Sequence, residues 1–216
     1  GIELSQVGDG SAVVNPYENG ILSKGVNILN DSDLQATTLA SVPSFTGVPE
    51  VGGVQNAGDI KINAIDLTMD NAFISNLSAG SSGDAGSIGI NVTNKLDMTN
   101  VELNSSSNRS IEGDIDALGA AGSINIDAGT VIVTASEVST ATASSVENNE
   151  VASVSIASKA NLELSDSNIQ ASTSGDNAAG TIILKAKNIQ LENVSNASEI
   201  KISSNTTSSG DAGNII

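Results

Sequence analysis

One pair of small residues, Ala-Gly, returns along the chain at Ala57-Gly58, Ala85-Gly86, Ala121-Gly122, Ala179-Gly180 and Ala212-Gly213, with Val151-Ala152 in the one slot where it is missing. The intervals run from 28 to 36 residues. Self-similarity at such a period marks an architecture in which one unit stacks on the next. A short alternating segment follows each pair: Ile60/Ile62, Ile88/Ile90, Ile124/Ile126, Val154/Ile156 and Ile182/Leu184, with Ile215 opening another. Seven or eight residues later comes a second: Leu67/Met69, Leu96/Met98, Val131/Val133, Leu162/Leu164 and Ile189/Leu191. Five residues beyond that lies a third apolar position, at Ile74, Leu103, Val138 and Ile169. In the fifth repeat only Ile200 or Ile202 can fill it, which implies a four-residue insertion around 193–199.

The alternation has period two and favours β-branched residues, so these segments are strands, and helical i, i+3, i+4 spacing is missing across the array. Three short strands per repeat, in parallel register, describe one coil of a solenoid. The sequence therefore predicts an all-β fold, a right-handed parallel β-helix of about six coils of 28–36 residues with three short strands each. A single coil buries too few side chains to offset the entropy of ordering its backbone, so stability must come from stacking. Residues 1–55 read as an irregular N-terminal coil or capping segment, and Pro43, Pro49, Gly47, Gly52 and Gly53 mark a loop after it. Residues 56–216 form the regular repeats. They are expected to continue beyond residue 216, because "GDAGNII" repeats "GDAGSIGI" and stops once its first strand has begun.

Composition narrows the function. The chain has no Cys and no His, which excludes zinc sites of the usual kind, a thiol nucleophile and a Ser-His-Asp triad. Eight basic residues against 25 acidic ones give a net charge of −17, and Arg109 is the lone arginine. Nucleic acid is therefore not expected as a partner, since neutralising phosphates takes clustered Lys and Arg. No apolar run is long enough for a membrane-spanning helix, and no membrane insertion is expected. The 33 Ser and 24 Asn would suit a disordered chain. The periodic placement of Ile, Leu and Val argues against that.

Several residues invite chemical readings. The position after the second strand reads Asn71, Asn100, Ala135, Asp166 and Asn193. Asn and Asp tolerate left-handed backbone and satisfy turn amides, so Asn71, Asn100, Asp166 and Asn193 are expected to form a corner ladder. "GDAG" at 83–86 and 210–213 and "SGDNAAG" at 174–180 make Asp176 and Asp211 weak calcium candidates. The calcium-binding nonapeptide of β-rolls does not occur, and Asp beside Gly is ordinary turn chemistry, so no metal and no cofactor are expected. Asp114 with Asp116, or Glu147 with Glu150, could pair as acid and base on a polysaccharide. No aromatic platform for sugar rings accompanies them, and the chain does not read as an enzyme. Asn-x-Ser/Thr triplets at Asn76, Asn91, Asn104, Asn108, Asn196 and Asn205 match glycosylation acceptors but are common by chance in such a composition.

The two fixed spacings build the sheets, which leaves the loose third connection as the place for variation. It is longest between Leu103 and Ile124. There Arg109 lies near Asp114 and Asp116, with Ile111, Ile115 and Leu118 occupying no coil position. These six are the partner-contact candidates. The plainer alternative has the three apolar residues folding back as a lid over a neighbouring coil.

"NAGDIKINAIDLTMDNAFIS", "GDAGSIGINVTNKLDMTNVELNSSS" and "NAAGTIILKAKNIQLENVSN" resemble the β-helical repeats of filamentous haemagglutinin-type exoproteins of two-partner secretion systems, as found in cyanobacteria and other Gram-negative bacteria. The resemblance covers about residues 56–216. Asn15, Pro16, Asn19, Gly20 and Ile21 loosely match the family's secretion-domain turn with two extra residues inside it, and no secretion domain is assigned to residues 1–55. The resemblance implies a secreted or cell-surface protein exported through an outer-membrane secretion transporter. It implies an adhesin shaft or surface attachment protein whose partner is a host, glycan or surface ligand, or other copies of itself. The alternatives are a self-associating extracellular filament or biofilm-matrix protein and, behind both, a polysaccharide-active β-helix enzyme.

Overall fold

The computed structural model describes residues 2–7, 11–18, 21–22, 26–39, 59–79, 84–108, 119–143, 151–174, 176–194 and 199–216, with side chains from residue 59 onward except at 77–79 and 108. Its elements are strands throughout. In chain order they are β1 Ile2–Val7, β2 Ser11–Glu18, β3 Ile21–Leu22, β4 Val26–Leu39, β5 Ile60–Ala64, β6 Leu67–Ala79, β7 Ile88–Thr99 and β8 Glu102–Asn108. Then follow β9 Ile124–Thr134, β10 Glu137–Thr142, β11 Val154–Ser158, β12 Asn161–Ser165, β13 Asn168–Thr173, β14 Ile182–Lys185, β15 Asn188–Glu192 and β16 Lys201–Thr206. Among the described residues no helix is long and apolar enough to cross a membrane.

Three parallel ladders hold the coils together. The first pairs Ile60, Ile88, Ile124, Val154 and Ile182 in turn. In the second, Leu67, Leu96, Val131, Leu162 and Ile189 pair. The third runs through Ile74, Leu103, Val138, Ile169 and Ile202. The result is the expected all-β parallel solenoid, of about four turns. The expected six coils counted the five repeats from Ile60 onward and the one that Ile215 opens. Within the segment 1–55, β2 pairs with β5 at Ala12↔Ile60 and Val14↔Ile62, and β4 pairs with β6 at Val26↔Leu67 and Leu34↔Ile74. Parallel register thus reaches back to residue 12, while β1 and β3 flank β2 antiparallel.

The fifth repeat resolves its own ambiguity. Ile169 pairs with Ile202, so Leu191 to Ile202 spans 11 residues where Leu164 to Ile169 spans 5, and the insertion is 11 − 5 = 6 residues. The expected four-residue insertion corresponded to Ile200, which lies on the same side of an alternating strand. Period two cannot separate the two positions.

Side chains that point inward form columns. Ile60, Ile88, Ile124, Val154 and Ile182 are fully buried, as are Met69, Met98, Val133 and Leu164. Aliphatic packing stops partway along the third strand. Past Ile74, Leu103, Val138 and Ile169 the inward residues turn polar, with Asn76, Ser105, Ser107, Thr142 and Thr173 all buried. They bind the backbone of the connections. Asn76 Oδ1 accepts the Gly86 N–H at 2.9 Å, Ser105 Oγ donates to the Gly86 carbonyl at 3.0 Å, and Thr142 Oγ1 accepts the Ala121 N–H at 3.2 Å. Ser107 Oγ donates to Gly119 O at 2.7 Å and Ser204 Oγ to Gly180 O at 2.5 Å. Buried connections carry backbone polar groups that must find partners, and the polar third strand supplies them.

The recurring Ala-Gly follows from the same contact. A Cβ on Gly122 would lie 2.0 Å from Gly86 O, and one on Gly180 would lie 1.7 Å from Ala152 O. Glycine sits there because the carbonyl of the coil below rests against its Cα, a close backbone approach that excludes any side chain.

Candidate functional site

The corner between the second and third ladders is built by left-handed residues. Asn71, Asn100, Ala135 and Asp166 have φ of 49°, 53°, 48° and 49°. Each reverses the chain so that the next residue, Ala72, Val101, Ser136 or Ser167, turns inward and is buried. The residue after that points out again: Phe73, Glu102, Glu137, Asn168, and Lys201 in the last coil. Two outward rows with a recessed row between them make a groove of about 1030 Å³ along the stack. Its floor is Ala72, Val101 and Ser136.

The floor is satisfied within the chain. Ser136 Oγ accepts the Val101 N–H at 2.9 Å and donates to Thr134 O at 2.8 Å. One coil on, Ser167 Oγ accepts the Ser136 N–H at 3.1 Å and donates to Ser165 O at 2.7 Å. The walls differ. Side chains of Asn100, Glu102, Glu137 and Asn168 line the groove with no hydrogen bond or ion pair to the rest of the described chain. Asn71 Nδ2 donates to its neighbour Asp70 at 3.1 Å, and Asp166 Oδ1 accepts the Val194 N–H at 3.0 Å. Asparagines on other outward rows behave otherwise. Asn91 donates to Asn63 at 3.2 Å and Asn188 to Asn161 at 3.1 Å, each amide bonded to the rung beside it. A second hollow of about 190 Å³ lies beside Asn63, Asn91, Asp127 and Lys159, where Lys159 Nζ is 3.6 Å from Asp127 Oδ1.

Asn71, Asn100 and Asp166 thus stand at corners of one groove, with Ala135 between the last two. Asn193 does not join them. It has no left-handed backbone and does not line the groove. Ala135 takes a corner that Asn or Asp holds elsewhere.

At the calcium candidates, Asp176 Oδ1 accepts hydrogen bonds from Ser209 Oγ at 2.7 Å and Ser208 Oγ at 3.1 Å on the next coil. Those hydroxyls, Ser209 foremost, hold its carboxyl below the ordinary aspartate value. Asp211 offers its backbone carbonyl to the Ala179 N–H at 2.8 Å. No group of three potential metal ligands is found among the described residues. In the other "GDAG", Asp84 Oδ1 accepts the Ala120 N–H at 2.7 Å, a structural use for the aspartate before Ala-Gly. Arg109, Ile111, Asp114, Ile115, Asp116 and Leu118 lie outside the described residues, as do Glu147 and Glu150. Of the glycosylation triplets, Asn76 is buried at 0% exposure inside the polar interior.

The groove was hidden in the sequence. Its corner asparagines were visible, but a turn residue reads alike whether the corner is convex or recessed. The row at Phe73, Glu102, Glu137, Asn168 and Lys201 shares no residue type, so no repeat pattern flags it. Comparison with protein-family models, with curated proteins and with solved structures finds no match.

Proposed function

We propose that this chain is part of the shaft of a secreted or cell-surface bacterial exoprotein that serves attachment. The observation that carries this reading is the in-register stack itself. Each coil repeats the same three ladders, so the molecule grows along one axis by about 4.8 Å per coil. A fold that adds length without changing cross-section suits a spacer that holds a contact surface away from a cell. The resemblance of residues 56–216 to filamentous haemagglutinin-type repeats supports the same reading, with export through an outer-membrane transporter. The test is deletion of residues 59–216 from the exoprotein in the producing bacterium. Attachment to a surface should fall while the shortened protein is still exported. Undiminished attachment by cells exporting the shortened protein overturns the reading.

A further inference from the structure

We infer that the corner groove binds an uncharged linear polysaccharide laid along the stack axis. This rests on the attachment reading and deepens it by naming a ligand class and a place on the shaft.

The first argument is periodicity. The groove repeats its wall positions once per coil, about every 4.8 Å. A ligand that uses several rungs at once must be a linear polymer with a comparable repeat, and one sugar ring spans about one rung. An extended peptide matches poorly. Its side chains on one face recur about every 6.7 Å, two residues of strand rise, and fall out of step within a few rungs.

The second argument is hydrogen-bonding capacity. Asn100 and Asn168 each offer two amide donors and an acceptor, while Glu102 and Glu137 only accept. All four face the groove with no partner in the described chain, in contrast to the paired Asn63–Asn91 and Asn161–Asn188 rows. Sugar hydroxyls both donate and accept, so one ring can satisfy an amide and a carboxylate together. At one end the half-buried Phe73 supplies an apolar ring face.

The third argument is charge. Glu102, Glu137, Asp166 and Glu199 line the groove against a single Lys201. That balance rejects sulfated or uronic-acid chains by like-charge repulsion. A neutral chain is admitted, and its contacts are hydrogen bonds, which salt screens little.

The experiment titrates the full chain with cellohexaose, xylohexaose, a sulfated hexasaccharide and a lysine-rich peptide by calorimetry, at low and at high salt. Binding of a neutral hexasaccharide that persists at high salt is expected, with none of the sulfated one. The double variant Glu102→Ala/Glu137→Ala should weaken it about tenfold or more, since two hydrogen bonds to charged groups are lost. Asn63→Ala/Asn91→Ala, on a different face, should leave it unchanged. Binding of neither neutral sugar, binding unaffected by the Glu102→Ala/Glu137→Ala pair, or salt-sensitive binding of the peptide alone each overturns the inference. Attachment by cells carrying Glu102→Ala/Glu137→Ala separates the two proposals. If the unaltered chain binds neither neutral sugar while attachment persists, the groove reading falls and the shaft reading stands; if no cell carrying the chain attaches, the shaft reading falls.

Discussion

Leu164 and Leu191 occupy the same position of neighbouring coils and pair directly in the second ladder. Leu164 is fully buried, whereas Leu191 is 51% exposed. Their strands read alike, Asn-Leu-Glu-Leu against Asn-Ile-Gln-Leu. The difference comes from outside the strand: β12 is flanked by β9 and β15, while among the described residues β15 pairs with β12 alone. In a solenoid the apolar pattern states which side chains face inward, and a neighbouring coil decides whether inward means buried.

That contrast sets the largest expected effect. Leu164→Ala should cost about 2–5 kcal/mol, because a packed column is left with a cavity. Leu191→Ala, where half the side chain already meets water, should cost under about 1 kcal/mol. Urea midpoints of the two variants measure both, and equal losses would break the comparison.

Glycine substitutions sharpen it at the scale of backbone contact. Gly122→Ala places a Cβ 2.0 Å from Gly86 O, so coils must part, at about 1–3 kcal/mol. Gly89→Ala meets nothing nearer than Lys61 Cγ at 3.9 Å. It should stabilise by about 0.4–1 kcal/mol by reducing the freedom of the unfolded chain. Opposite shifts in thermal midpoint are expected.

The left-handed corners supply a smaller effect. Ala135 carries φ of 48° without the local hydrogen bonding that Asn or Asp brings, so Ala135→Gly should relieve roughly 1 kcal/mol. A thermal midpoint that fails to rise would mean the corner is held by its neighbours alone.

The smallest effect concerns Asp176. Its folded pKa is depressed by Ser209 and Ser208, so its contribution is complete above the unfolded value of about 3.9 and is lost as pH falls through the folded value. The carboxylate is exposed, so the loss should be slight. Asp176→Asn should lower stability slightly at neutral pH and flatten the acid limb of the stability profile below about pH 4, where the two proteins converge. A flattening seen only above that range would assign the titration to another group.

Much of the fold was legible because period-two columns recur at two fixed spacings. Ile60, Leu67 and Ile74 locate three ladders before any coordinate is known. Ile200 and Ile202 were not separable, since both sit on one face. The Ala-Gly pairs were visible as a repeat, but their cause is a carbonyl of the adjacent coil, which the linear order cannot show. Asn76, Ser105 and Thr142 are polar and still lie inside, because the connections they bind are themselves buried. The groove was least legible. It depends on the depth of Val101 and Ser136 below their neighbours, and depth is a property of the stacked coils.

The ladder hydrogen bonds have a mechanical consequence. They point along the stack, so a pull between the two ends of the shaft loads successive coil interfaces in series, and every interface carries the full force. The weakest interface then sets the strength of the whole. In the first ladder β11 holds β9 through five residue pairs and β14 through four. The second ladder reverses that order, with β12 holding β9 through four pairs and β15 through five, and the third holds both sides through six. Under tension, the shaft should part at either face of the β11–β13 coil, releasing whole coils there while the stack from β5 to β10 stays closed.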